Sequence, residues 1–423
     1  MTTWIARREA DDVEADVARA DPQAPLARLR MAVKDNIDVA GVPTTAGCPA
    51  YAFVPERSAP VVDRLIAAGA VYAGKTNLDQ FATGLVGTRS PHGAPESPLA
   101  PGYVSGGSSS GSAVAVATGE ADIALGTDTA GSGRVPAAFC GVVGLKPTPG
   151  WLSLQGVVPA CASFDCVTVF ARDVGTAARA VVAAAGVDPD DPSSRAEPLP
   201  TPDRTPSVAR VGGPSLDLLA RCCDEPVVDA FAALVARARE VGFDIVDTDV
   251  TAYLDAGELL YGGAFVAERY DAVGAFVDAH PDDVDPTVRS IISAAGRLPA
   301  HALARDLQRL RALRRRAAVV WDGCDALLLP TTPSHPTFDA VAADPIGINA
   351  GLGRFTNGCN LLGWCAAAVP GGDRSDGLPF GFSVLGRAWH DRQVWEIADR
   401  LTSPSTGVVV AGPARAGDTA CTR

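Results

Sequence analysis

The sequence predicts an α/β fold in which a mixed or parallel β-sheet is covered by helices on both faces. From residue 31 onward, short apolar runs bounded by Gly and Pro alternate with small-residue segments of helical period. The composition, 47% hydrophobic and 20% charged, is that of a globular protein with a large core. No repeat of about 20–50 residues is visible, which argues against solenoids and propellers.

The elements follow one another in a regular order along the chain. Residues 1–30 are predicted to form a short helix and a polar lead-in, and residues 31–402 a single domain. Within the domain, MAVKDNIDVAG begins with a strand and PVVDRLIAAGAVYAGKTN combines a helix with a strand. ADIALGTDTAG is predicted to be a strand that ends in a Gly-rich turn. ALLLPTTPSHPT returns to strand and loop, and an amphipathic helix near 391–402 ends the domain.

Three further segments are distinguished by their composition. Residues 187–207 hold six prolines and are predicted to form an exposed linker. A helical insertion on the substrate side is predicted over about 225–320, with one helix at 254–278 and an arginine-rich helix at 299–320. We interpret the arginines of the latter as a solvated helix face. Residues 403–423 are predicted to be a flexible tail.

Charge and cysteine usage argue against several classes of protein. The net charge of −13 argues against nucleic-acid binding, which needs a concentrated positive field. The sequence has neither the ~20-residue apolar run of a membrane helix nor the apolar core of a signal peptide. Ten cysteines without a CxxC pair and five histidines do not form a zinc pattern. We expect a cytoplasmic protein without metal, cofactor, nucleic-acid or membrane partners, and leave room for a homodimer.

Lysine is rare in this chain, so its three occurrences are informative: Lys34, Lys75 and Lys146. The other 33 basic residues are arginine, which keeps its proton in proteins, whereas a buried lysine can lose it. Each lysine is therefore a candidate for a role that needs deprotonation or a compact ammonium group. A buried ion pair is the structural alternative.

Two Gly/Ser-rich segments contain a candidate nucleophile, which in turn needs a base. The segment 105–112, SGGSSSGS, would by itself be typical of a linker or of close packing, but it continues directly into AVAVATGEADIALG. The segment 127–136 follows a predicted strand, where a Gly-rich turn can direct several N–H groups at an oxyanion. Ser132 in this turn is placed as a nucleophile and needs a base. Because no histidine lies near either segment, Lys34 is the better candidate.

These motifs resemble a known family. AVKDNIDV, GKTNLDQF, SGGSSSGSAVAVA, LGTDTAGSGRVPAAFCGVVGLKPT and LPTTP, spread over about residues 30–390, resemble the amidase signature family of Ser–cis-Ser–Lys hydrolases. TNLDQFATGLVGTRSPHGAP, TDTAGSGRVPAAF and WLSLQGVVPACASFDCV are similar to the amidase domain of allophanate hydrolases. The resemblance implies a single amidase-signature domain with a mixed sheet and the hydrolysis of an amide without a cofactor.

The resemblance also implies a catalytic triad. Ser132 would be the nucleophile, Ser108, after a cis peptide bond from Gly107, the bridging serine, and Lys34 the base. Lys34 would take a proton through Ser108 while Ser132 attacks the amide carbon, and the relay would return the proton to the leaving ammonia. The implied oxyanion hole consists of four backbone N–H groups: Thr129, Ala130, Gly131 and Ser132.

The implied substrate is allophanate, a small anion with a terminal amide at one end and a carboxylate at the other. In allophanate hydrolases a tyrosine and an arginine at the spacing found in ELLYGGAFVAERY contact the substrate, which implies this role for Tyr261 and Arg269. Arginine suits a carboxylate because it donates two parallel hydrogen bonds. On one continuous helix these two residues would be about 12 Å apart.

Two features depart from the family pattern. His92 stands in SPHG, where relatives usually have a tyrosine. The tail after residue 402 is short and rich in Gly and Ala, so we expect the C-terminal domain of allophanate hydrolases to be absent. The alternatives to an allophanate-type enzyme are a general small-amide amidase, the A-type component of an amidotransferase and, outside the enzymes, an inactive scaffold protein.

Overall fold

A mixed sheet of eleven strands lies at the centre of the computed structural model, which describes residues 3–198 and 209–402. Its strands and those of a small hairpin, β4–β5, are β1 (Trp4–Arg7), β2 (Arg30–Lys34), β3 (Val71–Thr76), β4 (Glu96–Ser97), β5 (Ala100–Val104), β6 (Ile123–Thr127), β7 (Val143–Lys146), β8 (Val167–Ala171), β9 (Arg210–Gly213), β10 (Asp244–Asp247), β11 (Ala326–Pro330), β12 (Cys365–Asp373) and β13 (Pro379–Gly386). The order is β1-β3-β2-β6-β8-β7-β12-β13-β11-β9-β10. The neighbours within β3-β2-β6 and within β11-β9-β10 are parallel and all others antiparallel.

Helices cover both faces of the sheet, which confirms the predicted fold class. They are α1 (Ala10–Arg19), α2 (Pro60–Ala67), α3 (Ser110–Ala117), α4 (Val135–Cys140), α5 (Val174–Ala184), α6 (Leu216–Ala220), α7 (Glu225–Glu240), α8 (Thr251–Gly262), α9 (Ala267–Ala279), α10 (Pro286–Ala295), α11 (Ala300–Ala317), α12 (Phe338–Ala343), α13 (Gly347–Leu352), α14 (Asn357–Leu362) and α15 (Asp391–Leu401). No helix in the described ranges combines the length and apolar character needed to cross a membrane.

The sequence of β2 explains how the two faces are filled. Met31 and Val33 belong to the large apolar cluster that also contains side chains of α2 and α5. Ala32 belongs to a second cluster, on α3 and α4, that consists largely of alanine and valine. Small residues let α3 lie close to the sheet: a Cβ at Gly111 would be 2.2 Å from the carbonyl oxygen of Thr3. This close packing brings the C-terminal end of β2 next to the N-terminal end of α3.

Two local predictions were wrong. Residues Trp4–Arg7, predicted as part of a helical lead-in, form β1, which pairs with β3 at the edge of the sheet. The single helix predicted at 254–278 is divided into α8 and α9 by a 3₁₀ turn at Ala264–Val266. Gly263 is extended there, and the N–H of Ala264 donates to Asp306 Oδ2 of α11 at 2.8 Å. A partner distant in sequence thus ends the helix, which a local pattern cannot show.

The proline-rich segment differs from the predicted exposed linker in the part that the structure describes. Asp188 and Asp191 are buried against the loop before β8. Asp188 accepts a hydrogen bond from Ser153 Oγ at 2.6 Å, and Asp191 accepts one from the N–H of Leu154 at 2.7 Å. Residues 199–207 of the segment and the predicted tail at 403–423 lie outside the described residues.

Candidate active site

A buried lysine and two hydroxyl groups meet where β2, β6 and the start of α3 come together. Lys34, the last residue of β2, is completely buried. Its Nζ lies 2.8 Å from Ser108 Oγ and 2.8 Å from Thr127 Oγ1. Ser108 follows a cis peptide bond from Gly107, and Thr127 ends β6. Both partners of the amine are therefore neutral hydroxyl groups.

The surroundings of Lys34 favour its neutral form. Burial in this site lowers the pKa of Lys34 to about 7, although the carboxylates of Asp79, Asp165 and Asp128 oppose that shift. An amine with this pKa can accept a proton at neutral pH, which is the property that a general base needs. Arg269 adds to the lowering of the pKa because it places a second positive charge in the same site.

Ser132 lies in the turn between β6 and α4 and is almost fully buried. In this conformation the hydroxyl of Ser132 donates to the carbonyl oxygen of Gly84 at 3.4 Å, and among the described residues it makes no hydrogen bond to Ser108. The structure therefore brings Lys34 and Ser108 into contact but leaves the Ser132 hydroxyl turned toward Gly84. A rotation of the Ser132 side chain would be needed to join it to the other two groups.

The backbone around Ser132 carries four unused donors. The N–H groups of Thr129, Ala130, Gly131 and Ser132 donate to no acceptor in the described parts of the chain, although all four residues are buried. Buried N–H groups are almost always paired in proteins, so four successive donors without an acceptor in the described residues are a candidate site for an anionic oxygen. Gly131 has a φ of 135°, and a Cβ at this position would lie 2.3 Å from Thr356 Oγ1. Only glycine fits this turn.

A buried ion pair fixes the same turn. Arg134 donates from Nε and Nη2 to the two carboxylate oxygens of Asp128, each at 2.9 Å. It also donates to the carbonyl oxygen of Thr356 and to Asn360 Oδ1, both at 2.9 Å. Burial alone would raise the pKa of Asp128, but the adjacent guanidinium brings it below its ordinary value. Asp128 therefore stays ionised and holds both ends of the turn.

Arg269 and Tyr261 are in direct contact, which corrects the separation of about 12 Å expected for one continuous helix. Because the chain turns at Gly263, Arg269 Nη2 donates to Tyr261 OH at 2.9 Å. Arg269 Nη1 donates to Thr83 Oγ1 at 2.9 Å and, more weakly, to the carbonyl oxygen of Ala82 at 3.5 Å. The break between α8 and α9 thus makes one polar group of two residues that a straight helix would keep apart.

Arg269 is 2% exposed as a residue, and its guanidinium pairs with no carboxylate among the described residues. The three groups that accept its hydrogen bonds are neutral. A buried charge without a counter-ion is costly, so such a group indicates a place where an anion binds.

A short turn links Arg269 to Ser132. Thr83 contacts Arg269, and the next residue, Gly84, accepts the hydrogen bond from Ser132. The two residues before Thr83, Phe81 and Ala82, both have a φ of 51°, a left-handed conformation that is rare for residues other than glycine. Such conformations are concentrated at functional sites. Arg269 and Ser132 therefore contact two adjacent residues, Thr83 and Gly84.

Several residues of the site were not identified from the sequence. Thr127 and Thr83 lie inside the motifs LGTDTAG and TNLDQFATG, but nothing in their pattern showed that their hydroxyl groups contact Lys34 and Arg269. Asp79 accepts from the N–H groups of Gly87 and Arg89 beside the site, and burial raises its pKa. Thr356 donates to the carbonyl oxygen of Ala130, which is 226 residues away in sequence.

The other two lysines and His92 lie outside this group. Lys75 forms a buried ion pair with Asp35 at 3.1 Å. Lys146 donates to the carbonyl oxygen of Trp364 at 2.7 Å. His92 is half-buried on the loop before β4, where its N–H donates to Ser90 Oγ at 3.3 Å. The described residues contain no cluster of three His, Cys, Asp or Glu side chains that could hold a metal ion.

The comparisons with known proteins agree on one family. The amidase family model matches residues 2–395 of this chain. Urea amidolyase of Saccharomyces cerevisiae is 42% identical over 379 residues, which cover 89% of this chain and 20% of that protein. The structure of Kluyveromyces lactis allophanate hydrolase matches with a TM-score of 0.89 and 40% identity, over 94% of this chain and 66% of that one. The A component of the Synechococcus glutamyl-tRNA(Gln) amidotransferase is 35% identical over 94% of this chain and 88% of its own length.

Proposed function

This chain belongs to the amidase family, enzymes that act on amide C–N bonds, and from that premise we propose that it hydrolyses the terminal amide of allophanate or of a close ureido or carbamoyl acid. Ammonia is the released product. The similarity to urea amidolyase and to allophanate hydrolase supports this substrate class, although the chain spans only 20% and 66% of those two proteins. The residues that would perform the reaction are Lys34, Ser108 and Ser132.

In the proposed reaction, neutral Lys34 removes the proton of Ser108, and Ser108 removes that of Ser132. The 2.8 Å contact between Lys34 Nζ and Ser108 Oγ supports the first transfer. The second requires the Ser132 hydroxyl to turn away from the carbonyl oxygen of Gly84 and toward Ser108. Ser132 Oγ then attacks the amide carbon. The protonated relay gives its proton to the leaving nitrogen, and a water molecule activated by the same relay hydrolyses the acyl-serine.

The negative oxygen of the tetrahedral intermediate would be held by the unpaired N–H groups of residues 129–132. These donors are fixed in advance by Arg134, Asp128 and Thr356, so they need little reorganisation when the charge develops. Each donor of this kind is typically worth about 3 kcal/mol of transition-state stabilisation.

The observation that carries the choice of substrate is the buried guanidinium of Arg269, which pairs with no carboxylate in residues 3–198 and 209–402. A neutral amide would leave this charge without a partner, whereas the carboxylate of allophanate would neutralise it. Tyr261 would assist, because its oxygen accepts from Arg269 while its own O–H can donate to the substrate. The carboxylate and the reacting amide of allophanate are only a few bonds apart, which suits the short turn between Arg269 and Ser132.

The test compares allophanate with biuret, in which a neutral amide replaces the carboxylate of allophanate. For Arg269→Gln we expect kcat/KM on allophanate to fall ten- to a hundredfold, since a charged hydrogen bond contributes about 1.5–3 kcal/mol. Turnover of biuret should change much less. Tyr261→Phe should cost less than Arg269→Gln because it removes one neutral donor. Equal losses on both substrates would show that Arg269 supports the fold rather than binds the anion.

The A-type component of an amidotransferase is the second candidate, favoured by the match to the Synechococcus protein over 88% of its length. The two candidates differ in what the purified chain does alone. An allophanate-type amidase releases ammonia from allophanate without a partner. A preference for glutamine, with turnover that appears only beside partner proteins, would favour the amidotransferase.

A further inference from the structure

Thr83 holds one edge of the Arg269 guanidinium. Its side chain is fully buried, and its hydroxyl group is both a hydrogen-bond donor and an acceptor. It accepts a hydrogen bond from Arg269 Nη1 at 2.9 Å and donates one to the carbonyl oxygen of Phe81 at 3.1 Å. Because the proton of the hydroxyl is directed at Phe81, a lone pair faces the arginine. Thr83 is thus oriented as an acceptor for the cation.

The backbone that carries Thr83 is tied on several sides. The N–H of Phe81 donates to the carbonyl oxygen of Ala46 at 2.9 Å, and Arg89 Nη1 donates to the carbonyl oxygen of Thr83 at 2.9 Å. The N–H of Leu85 donates to Asn349 Oδ1 at 2.7 Å. Two of these contacts, with Ala46 and Asn349, come from distant parts of the chain, so groups other than Arg269 also fix the backbone around the Thr83 hydroxyl.

The contacts of Arg269 leave two of its five N–H donors unused in the described part of the chain. Nη1 is used by Thr83 and Ala82, and one hydrogen of Nη2 by Tyr261. Arginine has five N–H donors, so the Nε–H and one Nη2–H make no hydrogen bond within the described residues. Nε and Nη2 lie on the same edge of the guanidinium, and a carboxylate can bind an edge of this kind through two parallel hydrogen bonds.

We propose that Thr83 is the positioning residue of the anion site: by holding Nη1 it turns the Nε/Nη2 edge of Arg269 toward the substrate carboxylate beside Ser132. This inference rests on the proposed function and deepens it, since it assigns the preference for anionic amides to a residue that need not touch the substrate. Without the Thr83 acceptor, the guanidinium keeps its charge but loses the contact that sets its orientation.

The decisive variants are Thr83→Val, which keeps the shape and removes the hydroxyl, and Thr83→Ser, which keeps the hydroxyl. For Thr83→Val we expect kcat/KM on allophanate to fall about tenfold, mainly through KM, with biuret turnover changed less than twofold. Thr83→Ser should restore most of the loss. The matched control is Thr168→Val, since the buried Thr168 hydroxyl has no partner among the described residues. Equal losses on both substrates, or a Thr83→Ser variant as impaired as Thr83→Val, would overturn the inference.

A binding measurement separates this inference from the proposed function. Malonate, a short dicarboxylate, is titrated by calorimetry into Ser132→Ala protein with and without Thr83→Val and with and without Arg269→Gln. We expect each added substitution to raise the Kd of malonate about tenfold, and the two together to cost little more than Arg269→Gln alone, because Thr83 acts through Arg269. If the wild-type protein prefers neutral amides, the proposed function is wrong. The expected pattern of malonate binding would still support the role of Thr83 in orienting Arg269. Additive losses in the double variant would overturn it.

Discussion

Lys34 is the residue whose surroundings control when the proposed relay can operate. Burial lowers the pKa of Lys34 to about 7, and the base must be unprotonated to act. We therefore expect kcat/KM to rise with pH through about 7 and to level off above it. The Asp79 carboxylate raises the pKa of Lys34, so Asp79→Asn should move this limb to lower pH. A pH profile of both proteins checks this, and a limb that stays in place would exclude Lys34 as the titrating group.

A substitution of Lys34 distinguishes a general base from a residue that acts only through its positive charge. Lys34→Arg keeps a positive group near Ser108, but arginine does not release its proton in proteins. We expect turnover to fall by at least a thousandfold while thermal unfolding still shows a single folded protein. Turnover near that of wild type would mean that Lys34 acts only through its charge. The matched control is Lys75→Arg, because Lys75 pairs with Asp35 and has no part in the relay.

At the scale of the element, the turn between β6 and α4 depends on the absence of a side chain at residue 131. Gly131→Ala would place a methyl group 2.3 Å from Thr356 Oγ1 in a backbone with a φ of 135°. The turn has to move, and its N–H donors move with it. We expect kcat to fall a hundredfold or more, consistent with the loss of about one oxyanion donor.

The control for this variant is Gly102→Ala, in the hairpin β4–β5. Gly102 also has a positive φ, 83°, but nothing lies within 4 Å of an added Cβ. It therefore measures the backbone strain without the collision. Steady-state kinetics and thermal unfolding of both variants would separate the two effects. If Gly102→Ala lost as much activity as Gly131→Ala, the position of the turn would not be what limits the rate.

At the scale of the whole molecule, His335 links stability to pH. It stacks on Phe139 with ring centroids 3.8 Å apart, and its Nε2 donates to the carbonyl oxygen of Val104 at 2.9 Å. Its Nδ1 has no partner in the described residues. Burial lowers the pKa of His335 to about 4, so the unfolded chain binds a proton first as the pH falls. Stability from this residue is present above about pH 6.5 and is lost toward pH 4.

We expect the melting temperature of wild type to fall between pH 7 and pH 4.5 by a few °C more than that of His335→Gln, which keeps a donor for Val104. The comparison is needed because Asp391 acts in the opposite direction: burial raises its pKa to about 6, so acid relieves the cost of its buried charge. Thermal unfolding at several pH values measures the difference. Parallel curves for the two proteins would show that His335 stays neutral in both states.

The alternation of short apolar runs with helical segments predicted the mixed sheet and its two helical layers, because burial imposes a different period on strands and on helices. Among the strands it predicted β2, β3, β6 and β11, but it did not identify β7, β8, β12 and β13 at the centre of the sheet. The edge strand β1 was missed since four residues carry too little pattern, and pairing with β3 decides their conformation. The break at Gly263 was missed because its cause, Asp306, lies on another helix.

By itself the sequence determined the fold class and the family. It also predicted a Ser132–Ser108–Lys34 relay, because the motifs for it are local: a Gly-rich turn, a serine and one of only three lysines. It also named Tyr261 and Arg269. Only the tertiary structure decided that these two touch, that Arg269 pairs with no carboxylate in the described part of the chain, and that Thr83 contacts it. The physical reason is that the burial of a side chain and the pairing of its charge depend on the elements that pack around it. Those elements are formed by residues far apart in the chain, so no local pattern records their packing.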